Sequence, residues 1–433
     1  MYARFLRDVA DTGFEASWYA ATVPPSPGFP ALKGDLDVDV AIVGAGYTGL
    51  NAAIELTQKN FSVAVLEARQ AGWGCSGRNG GQVIGGMASF DRLRRHLGEQ
   101  DAQLAWKVGV EGLRILRERI ERFDIDCDWK PGYFAAACKS GQMRDLLANR
   151  DREIALGYPH ELAIIDRAAL AGVIGSEAYV GGVLDAGGGH VHPLRLCIGE
   201  ARAAAALGVR IFEHSPVTRL QSGAHVGVHT PGGVVRARYV IIAGDIYLGD
   251  LLPELTRAIL PAGSYIIATE PLPGQLASEL LPRDCAVSDQ NVLLDYFHLS
   301  ADRRLLFGGR CNHSGRKPRN IAAALRPRML RVFPQLRGAR IDYQWGGTVS
   351  ISLKRIPQFG RLDGNILYAQ GYSGHGLVPA HVAGRLLAEA VAGDAGRFDV
   401  FARVKHWKLP GGRRIASALL ALGMTYYRLL DLL

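Results

Sequence analysis

Between Val38 and Leu66 the chain changes its hydrophobic period twice. Val38, Val40, Ile42 and Val43 alternate and then run together, as in a strand buried on both faces. Residues 50–59 carry apolar positions at helical spacing, and 61–66 return to a β-branched run closed by Glu67. This stretch predicts strand, turn, helix, strand. Downstream, Leu104, Val108, Leu113, Leu116 and Ile120 predict helices through 90–157, broken by a turn and short strand at 129–134. A glycine-rich stretch, 183–192, leads to Pro193, placed to open a helix over 194–207. Strands are expected at 208–212, 226–235 and 238–243. Period-two runs at 265–270, 293–298 and 304–307 predict an antiparallel sheet within 261–343. Strand 365–370, loop 371–376 and helix 382–391 then repeat the order with which the N-terminal unit began.

The turn after the first strand reads Gly44-Ala45-Gly46-Tyr47-Thr48-Gly49, a G-x-G-x-x-G spacing set between strand and helix. Gly44 permits the tight turn, Gly46 lets the backbone approach a pyrophosphate, and Gly49 lets the helix pack on the strand. The helix N-terminus offers free amides to phosphate. Glu67, 18 residues past Gly49, stands where a carboxylate accepts hydrogen bonds from an adenosine ribose. Glycine then crowds 72–82 too densely for a helix or strand interior, so the backbone there is expected to lie close against a ligand. A plain surface loop would have no need of Trp73 and Arg78 within it.

Composition narrows the possibilities further. At 433 residues, 48% hydrophobic and 21% charged, the chain is an ordinary globular protein with room for a nucleotide domain and a second one. Six cysteines without a C-x-x-C pair suggest neither a zinc site nor a disulfide framework, and a cytoplasmic setting is expected. No apolar h-region occurs in the first thirty residues, so secretion is not expected. Net charge is +9, but the basic residues are dispersed, which argues against nucleic acid and toward an anionic substrate or membrane surface. The 1–36 arm, interrupted by Pro24, Pro25 and Pro27, is expected to pack over a domain without carrying chemistry. The 396–433 tail is expected to form an amphipathic helix with basic flanks. Arg428 and Asp431 keep its uncharged run below the roughly 20 residues a spanning helix needs. Docking on the inner face of a membrane and packing on the body or a partner subunit both remain open for it.

The segments VAIVGAGYTGL and VLEARQAGWGCSGRNGGQ resemble the N-terminal signature of the FAD-dependent oxidoreductases related to D-amino-acid oxidase, glycine oxidase and sarcosine oxidase. GWGCSGRNGGQ is similar to the branch containing gamma-glutamylputrescine oxidoreductases and bacterial iminodiacetate oxidase. The resemblance extends along nearly the whole chain. It implies an α/β (α+β) fold of the glutathione-reductase-like, D-amino-acid-oxidase-like kind: a Rossmann-type FAD-binding domain with an inserted antiparallel-sheet substrate domain. FAD binding would use 37–90, 185–260 and 345–395, and substrate binding 91–184 and 261–344. The resemblance implies FAD contacts from Gly44, Gly46, Tyr47, Thr48, Gly49, Glu67, Ala68 and Arg69. The second glycine loop would add Gly74, Cys75, Ser76, Arg78, Asn79, Gly80, Gly81 and Gln82. Val217 is expected beside the adenine, and Ala243 and Gly244 near the phosphates. Gly371, Tyr372, Ser373, Gly374, His375 and Gly376 are expected at the pyrimidine edge of the flavin, where helix-end amides would stabilise negative charge on a ring carbonyl. Cys75 is a potential covalent flavin attachment or simply a small packing residue.

The reaction implied by the resemblance is hydride transfer to flavin from the carbon beside an amine nitrogen, followed by imine hydrolysis. It needs a neutral amine, a fixed C–H direction and groups for the remote end of the substrate, but no metal. The expected substrate contacts are Tyr265, Tyr296, His298 and Trp345, with Gln82 over the ring. Two departures from the family pattern matter. Strand 293–299 carries no arginine for a substrate carboxylate, and S-G-H-G is followed by Leu377 and Val378 rather than an aromatic residue and a lysine. A simple α-amino acid is therefore not expected. A secondary or extended amine that also bears carboxylate is, with iminodiacetate and gamma-glutamylputrescine as candidates and dioxygen or quinone as electron acceptor. The alternatives are a membrane-associated D-amino-acid or amine dehydrogenase passing electrons to quinone, and a non-catalytic flavin-binding subunit.

Overall fold

The computed structural model describes residues 13–25, 28–291, 293–309 and 318–407. Leu36–Val43 (β1) runs through the middle of the first sheet, with Val63–Leu66 (β2) and Gly233–Ile242 (β10) beside it in parallel. Arg210–Phe212 (β7) lies outside β2, and Ile366–Gln370 (β17) outside β10, both parallel; Gln358–Leu362 (β16) closes the edge antiparallel. Arg219–Gln221 (β8) and Val226–Thr230 (β9) form an antiparallel flap on β10. The continuous apolar run predicted for β1 is covered on both faces, and Val40, Ala41 and Ile42 are wholly buried.

Helices Tyr47–Thr57 (α2), Glu99–Arg122 (α3), Pro193–Ala206 (α4), Leu377–Val391 (α6) and Gly396–Ala402 (α7) cover one face of this sheet and share one apolar core. Trp18–Thr22 (α1) belongs to the N-terminal arm. Close approach of α2 and α6 depends on Gly384, where a Cβ would stand 2.6 Å from Asn51 Cβ and 2.7 Å from Ala52 N.

The second sheet has the order β15-β11-β14-β13-β12-β4-β6-β3, with β5 also on β6. Its strands are Gln82–Val83 (β3), Lys130–Ala137 (β4), Leu162–Ile165 (β5), Gly181–His190 (β6), Ile259–Thr269 (β11), Ala286–Asp289 (β12), Asp295–Leu299 (β13), Leu305–Gly309 (β14) and Ile341–Ser352 (β15). All pairings are antiparallel except β12 with β4. One face packs on Ile321–Val332 (α5) through Phe297, Phe307 and Phe333. The other looks toward the first sheet.

The expected domain division differs from these sheets in several places: β3, within the expected 37–90 segment, lies in the second sheet, and β11 crosses the 260/261 boundary inside it. Strand β6 straddles the 184/185 boundary and belongs wholly to the second sheet, as does β15 across 344/345. Helix α3, inside the expected substrate segment, buries Trp106, Leu113 and Leu116 in the core of the first sheet. Helix α7, placed in the tail, packs Phe398 and Phe401 on Phe359 of β16. The remainder of the expected tail helix, from Lys408 on, lies outside the described residues. Among the described residues no helix is long and apolar enough to cross a membrane.

Candidate active site

Loops at the carboxyl ends of β1, β2, β10 and β17 converge on a cavity of about 550 Å³, whose opposite wall is the inward face of the second sheet. Ligands of open α/β sheets bind at this end of the strands. Gly44 turns the chain at φ +108°, where a Cβ would stand 2.9 Å from Ala243 O. Gly46, Tyr47 and Thr48 line the cavity. Gly49 does not: a Cβ there would fall 2.0 Å from Gly44 O, so its role is to let α2 sit on the turn. Glu67 ties the β1 and β2 loops together, Oε2 accepting from Ala45 N (2.8 Å) and Oε1 from Arg69 N (2.9 Å). Burial pushes its carboxyl pKa up, opposed by those two amides.

The second glycine loop is fastened from several sides. Gly72 N donates to Ala45 O (3.0 Å), Tyr47 N to Ser76 Oγ (3.0 Å) and Trp345 Nε1 to Arg78 O (3.2 Å). Asn79 Nδ2 donates to Cys75 O and Ser76 O, while its Oδ1 accepts from Gly81 N. Cys75 Sγ donates to Thr348 O at 2.9 Å, and burial pushes the thiol up to about 12, which keeps it protonated at neutral pH. This favours the packing reading of Cys75 over a reactive one.

Asp245, at the end of β10, joins three segments. Its Oδ1 accepts from Gly371 N (2.9 Å) and its Oδ2 from Ser350 Oγ (2.7 Å), with the backbone held at φ +45°. Burial raises its pKa. Thr48 Oγ1 lies 2.6 Å from Tyr372 OH, linking the first and last loops. His375 precedes α6 with Nε2 3.3 Å from Gly85 O; a carbonyl only accepts, so Nε2 carries the proton, and burial holds the ring neutral. A Cβ built on Gly374 would meet nothing within 4 Å, so this stretch of wall is bare backbone.

On the sheet side, Tyr133 OH lies 2.5 Å from Ser288 Oγ and Tyr296 OH 3.1 Å from Ser264 Oγ. Gln82 Nε2 donates to Val287 O (2.7 Å). The Tyr296 ring occupies space that two glycines leave open: a Cβ on Gly80 or Gly308 would stand 2.4 or 2.1 Å from it.

Two loops at a helix N-terminus, a carboxylate closing the second strand and bare glycine backbone fit an elongated dinucleotide. A family model described as "DAO: FAD dependent oxidoreductase" matches residues 39–390. The chain belongs to this family. It is 43% identical to the gamma-glutamylputrescine oxidoreductase of Escherichia coli over 97% of this chain and 99% of that one. Among solved structures, glycine oxidase from Geobacillus kaustophilus aligns with TM-score 0.66 at 21% identity, covering 82% of this chain and 95% of that one. Iminodiacetate oxidase from a Chelativorans species aligns at 0.67 and 19%, with the same coverages.

As a member of the DAO family the protein is an FAD-dependent oxidoreductase, and FAD is its cofactor. Of the residues expected around it, Glu67, Ala68 and Arg69 reach the wall, as do Gly74 to Ser76, Arg78 to Gly80 and Gln82. Val217, Ala243 and Gly244 line the cavity together with Leu66 and Leu248, and so do Tyr372 to Gly376. Gly81 and Gly371 stand behind the wall with Gly49. A Cβ on Gly81 would meet Val191 O at 2.2 Å, and Gly371 gives its amide to Asp245.

Three of the expected substrate contacts, Tyr265, His298 and Trp345, do not reach the cavity. Tyr265 lies on the far face of β11, its ring filling the space over Gly263 and Gly346. His298 shares the face of Tyr296 but is capped by His190 of β6, ring centroids 4.2 Å apart. Trp345 is covered by Tyr19, at 5.2 Å. Tyr133, Ser264, Ser288 and Asp245, which do line the cavity, gave no sequence signal, because tyrosines and small polar residues are common in strands and turns.

Proposed function

We propose that the protein oxidises the C–N bond of a primary amine at the end of an extended, amino-acid-bearing chain, gamma-glutamylputrescine being the substrate tested first. The observation that carries this reading is the sheet-side wall. Its described polar side chains, set beside the aliphatic Leu294 and Val349, are hydroxyls and amides with one carboxylate, Asp289; the only described arginines of the cavity, Arg69 and Arg78, belong to the nucleotide-side loops. Such a wall suits an amine and uncharged polar groups better than a diacid. The full-length likeness to gamma-glutamylputrescine oxidoreductase supports the same choice.

When bound, FAD would supply the acceptor for the hydride that leaves the carbon beside the nitrogen. The Tyr296–Ser264 and Tyr133–Ser288 pairs hold the substrate by hydroxyls that accept from an amine or donate to a carbonyl. Gln82, anchored on Val287 O, fixes the junction of loop and sheet. The α6 N-terminus, preceded by neutral His375, directs amides toward any oxygen that gains negative charge.

The test is turnover of gamma-glutamylputrescine, iminodiacetate and glycine by the purified holoenzyme, read as oxygen consumption and separately as dye reduction, which also assigns the acceptor. The expected kcat/KM for gamma-glutamylputrescine exceeds the other two by about a hundred-fold or more. Preference for iminodiacetate or glycine would overturn the reading.

A further inference from the structure

The N-terminal arm, expected to be inert packing, is fastened to the wall of the flavin cavity. Trp73 and Arg78 belong to that wall. Trp73 Nε1 donates to Gly13 O (3.2 Å), and Arg78 Nη1 pairs with Glu15 Oε2 at 2.8 Å. Arg78 also lies over the Trp73 ring at 4.1 Å and donates from Nε to Trp73 O (2.7 Å), so one guanidinium holds the loop in shape and joins it to the arm. Three residues past Glu15, α1 wedges Trp18 and Tyr19 into the body. Tyr19 meets Trp345 at 5.2 Å and His192 at 4.9 Å, and Trp345 holds the Arg78 carbonyl. Thr22 anchors the end of α1, Oγ1 lying 3.0 Å from His192 Nε2 and its carbonyl accepting from Arg195 Nη2 (3.0 Å).

Arg78 is thus gripped twice by the arm, through Glu15 on its side chain and through Tyr19 and Trp345 on its backbone. A glycine-dense loop loses much conformational entropy when ordered, so external ties decide how long it stays closed over a ligand. We infer that residues 13–22 act as a latch on the FAD site, with Glu15 and Tyr19 as positioning residues that work through Arg78 and Trp345 to slow cofactor release.

The test is the rate at which flavin fluorescence appears when holoenzyme is diluted. The Glu15–Arg78 pair is partly exposed, so E15Q is expected to release FAD about two- to five-fold faster, with thermal unfolding of the apoprotein unchanged. In an R78Q background E15Q should add nothing. Y19A, which frees Trp345, should release FAD at least ten-fold faster, whereas Y19F should match wild type. E15D should restore most of the wild-type rate. Release from E15Q at the wild-type rate, or equal acceleration by E15Q with and without Arg78, would overturn the latch. So would an effect of E15Q confined to apoprotein unfolding. A deletion of residues 1–22 that folds and keeps FAD as long as the full chain would do the same, and if it does not fold the point variants decide.

Discussion

Replacing Asp245 separates two contributions to the cavity that the structure joins in one residue. Its carboxylate accepts from Gly371 N at 2.9 Å and Ser350 Oγ at 2.7 Å, from a backbone held at φ +45°. D245A removes both bonds. It leaves a buried amide unpartnered, at about 1–3 kcal/mol, and loses a second bond worth about 1 kcal/mol. It also places alanine in the left-handed region, at roughly 1–2 kcal/mol. Relief from burying a carboxylate, whose pKa is raised here, offsets part of this. A net loss of about 2–4 kcal/mol is expected. D245N keeps an acceptor for Gly371 N, presents its amino group to Ser350 Oγ, which can turn to accept, and tolerates the positive φ. Its expected loss is under about 1 kcal/mol. Urea unfolding of the apoprotein followed by circular dichroism reads both differences, and titration with FAD shows whether the loops still close. Equal destabilisation by D245A and D245N, or no effect of either, would refute the view that this residue clamps three segments.

G49A should destabilise by about 3 kcal/mol and yield protein without flavin, since the new Cβ falls 2.0 Å from a backbone oxygen and α2 must back away; normal flavin content in the purified variant would count against this. Burial and the neighbouring Asp295 push Asp289 up to about 7, against about 3.9 in an unfolded chain. The fold therefore favours the protonated form. Its stability from this residue is full below about pH 4, declines as pH rises toward 7 and is flat beyond. D289N should accordingly gain stability over wild type between pH 5 and 8, by up to about 3 kcal/mol, and unfolding curves at both pH values check it. Y296F should lower kcat/KM for the amine about ten- to a hundred-fold with the flavin spectrum unchanged; an unaltered kcat/KM would remove Tyr296 OH from substrate binding.

The nucleotide-binding unit was legible because it is local: Val40 to Glu67 brings strand, turn, helix and acid together within one stretch of chain, and turn glycines have few alternative uses. The second sheet was less so. Strand β6 reads as a glycine-rich lead into a helix, yet its glycines are where aromatic rings press on the strand. A Cβ would meet Phe134 at Gly182, His160 and Tyr158 at Gly187, and Trp129 at Gly189. Alternation in β11 and β13 shows which residues share a face but not which face meets a ligand. Tyr265 and Ser264 are adjacent and point oppositely, and only Ser264 reaches the cavity. His298 and Trp345 lie on the inward face and are lost to it because β6 and the N-terminal arm, distant in sequence, cover them. Helix α2 starts at Tyr47 rather than 50, as the glycine turn itself supplies the first helical residues.

The most direct test of the account is an anaerobic titration of the oxidised holoenzyme with gamma-glutamylputrescine, followed by the visible absorption of the flavin. The account predicts FAD bands in the purified protein that bleach fully as substrate is added and return on admitting the electron acceptor. Protein without flavin would contradict the cofactor assignment, and flavin that gamma-glutamylputrescine leaves unbleached would contradict the proposed reaction.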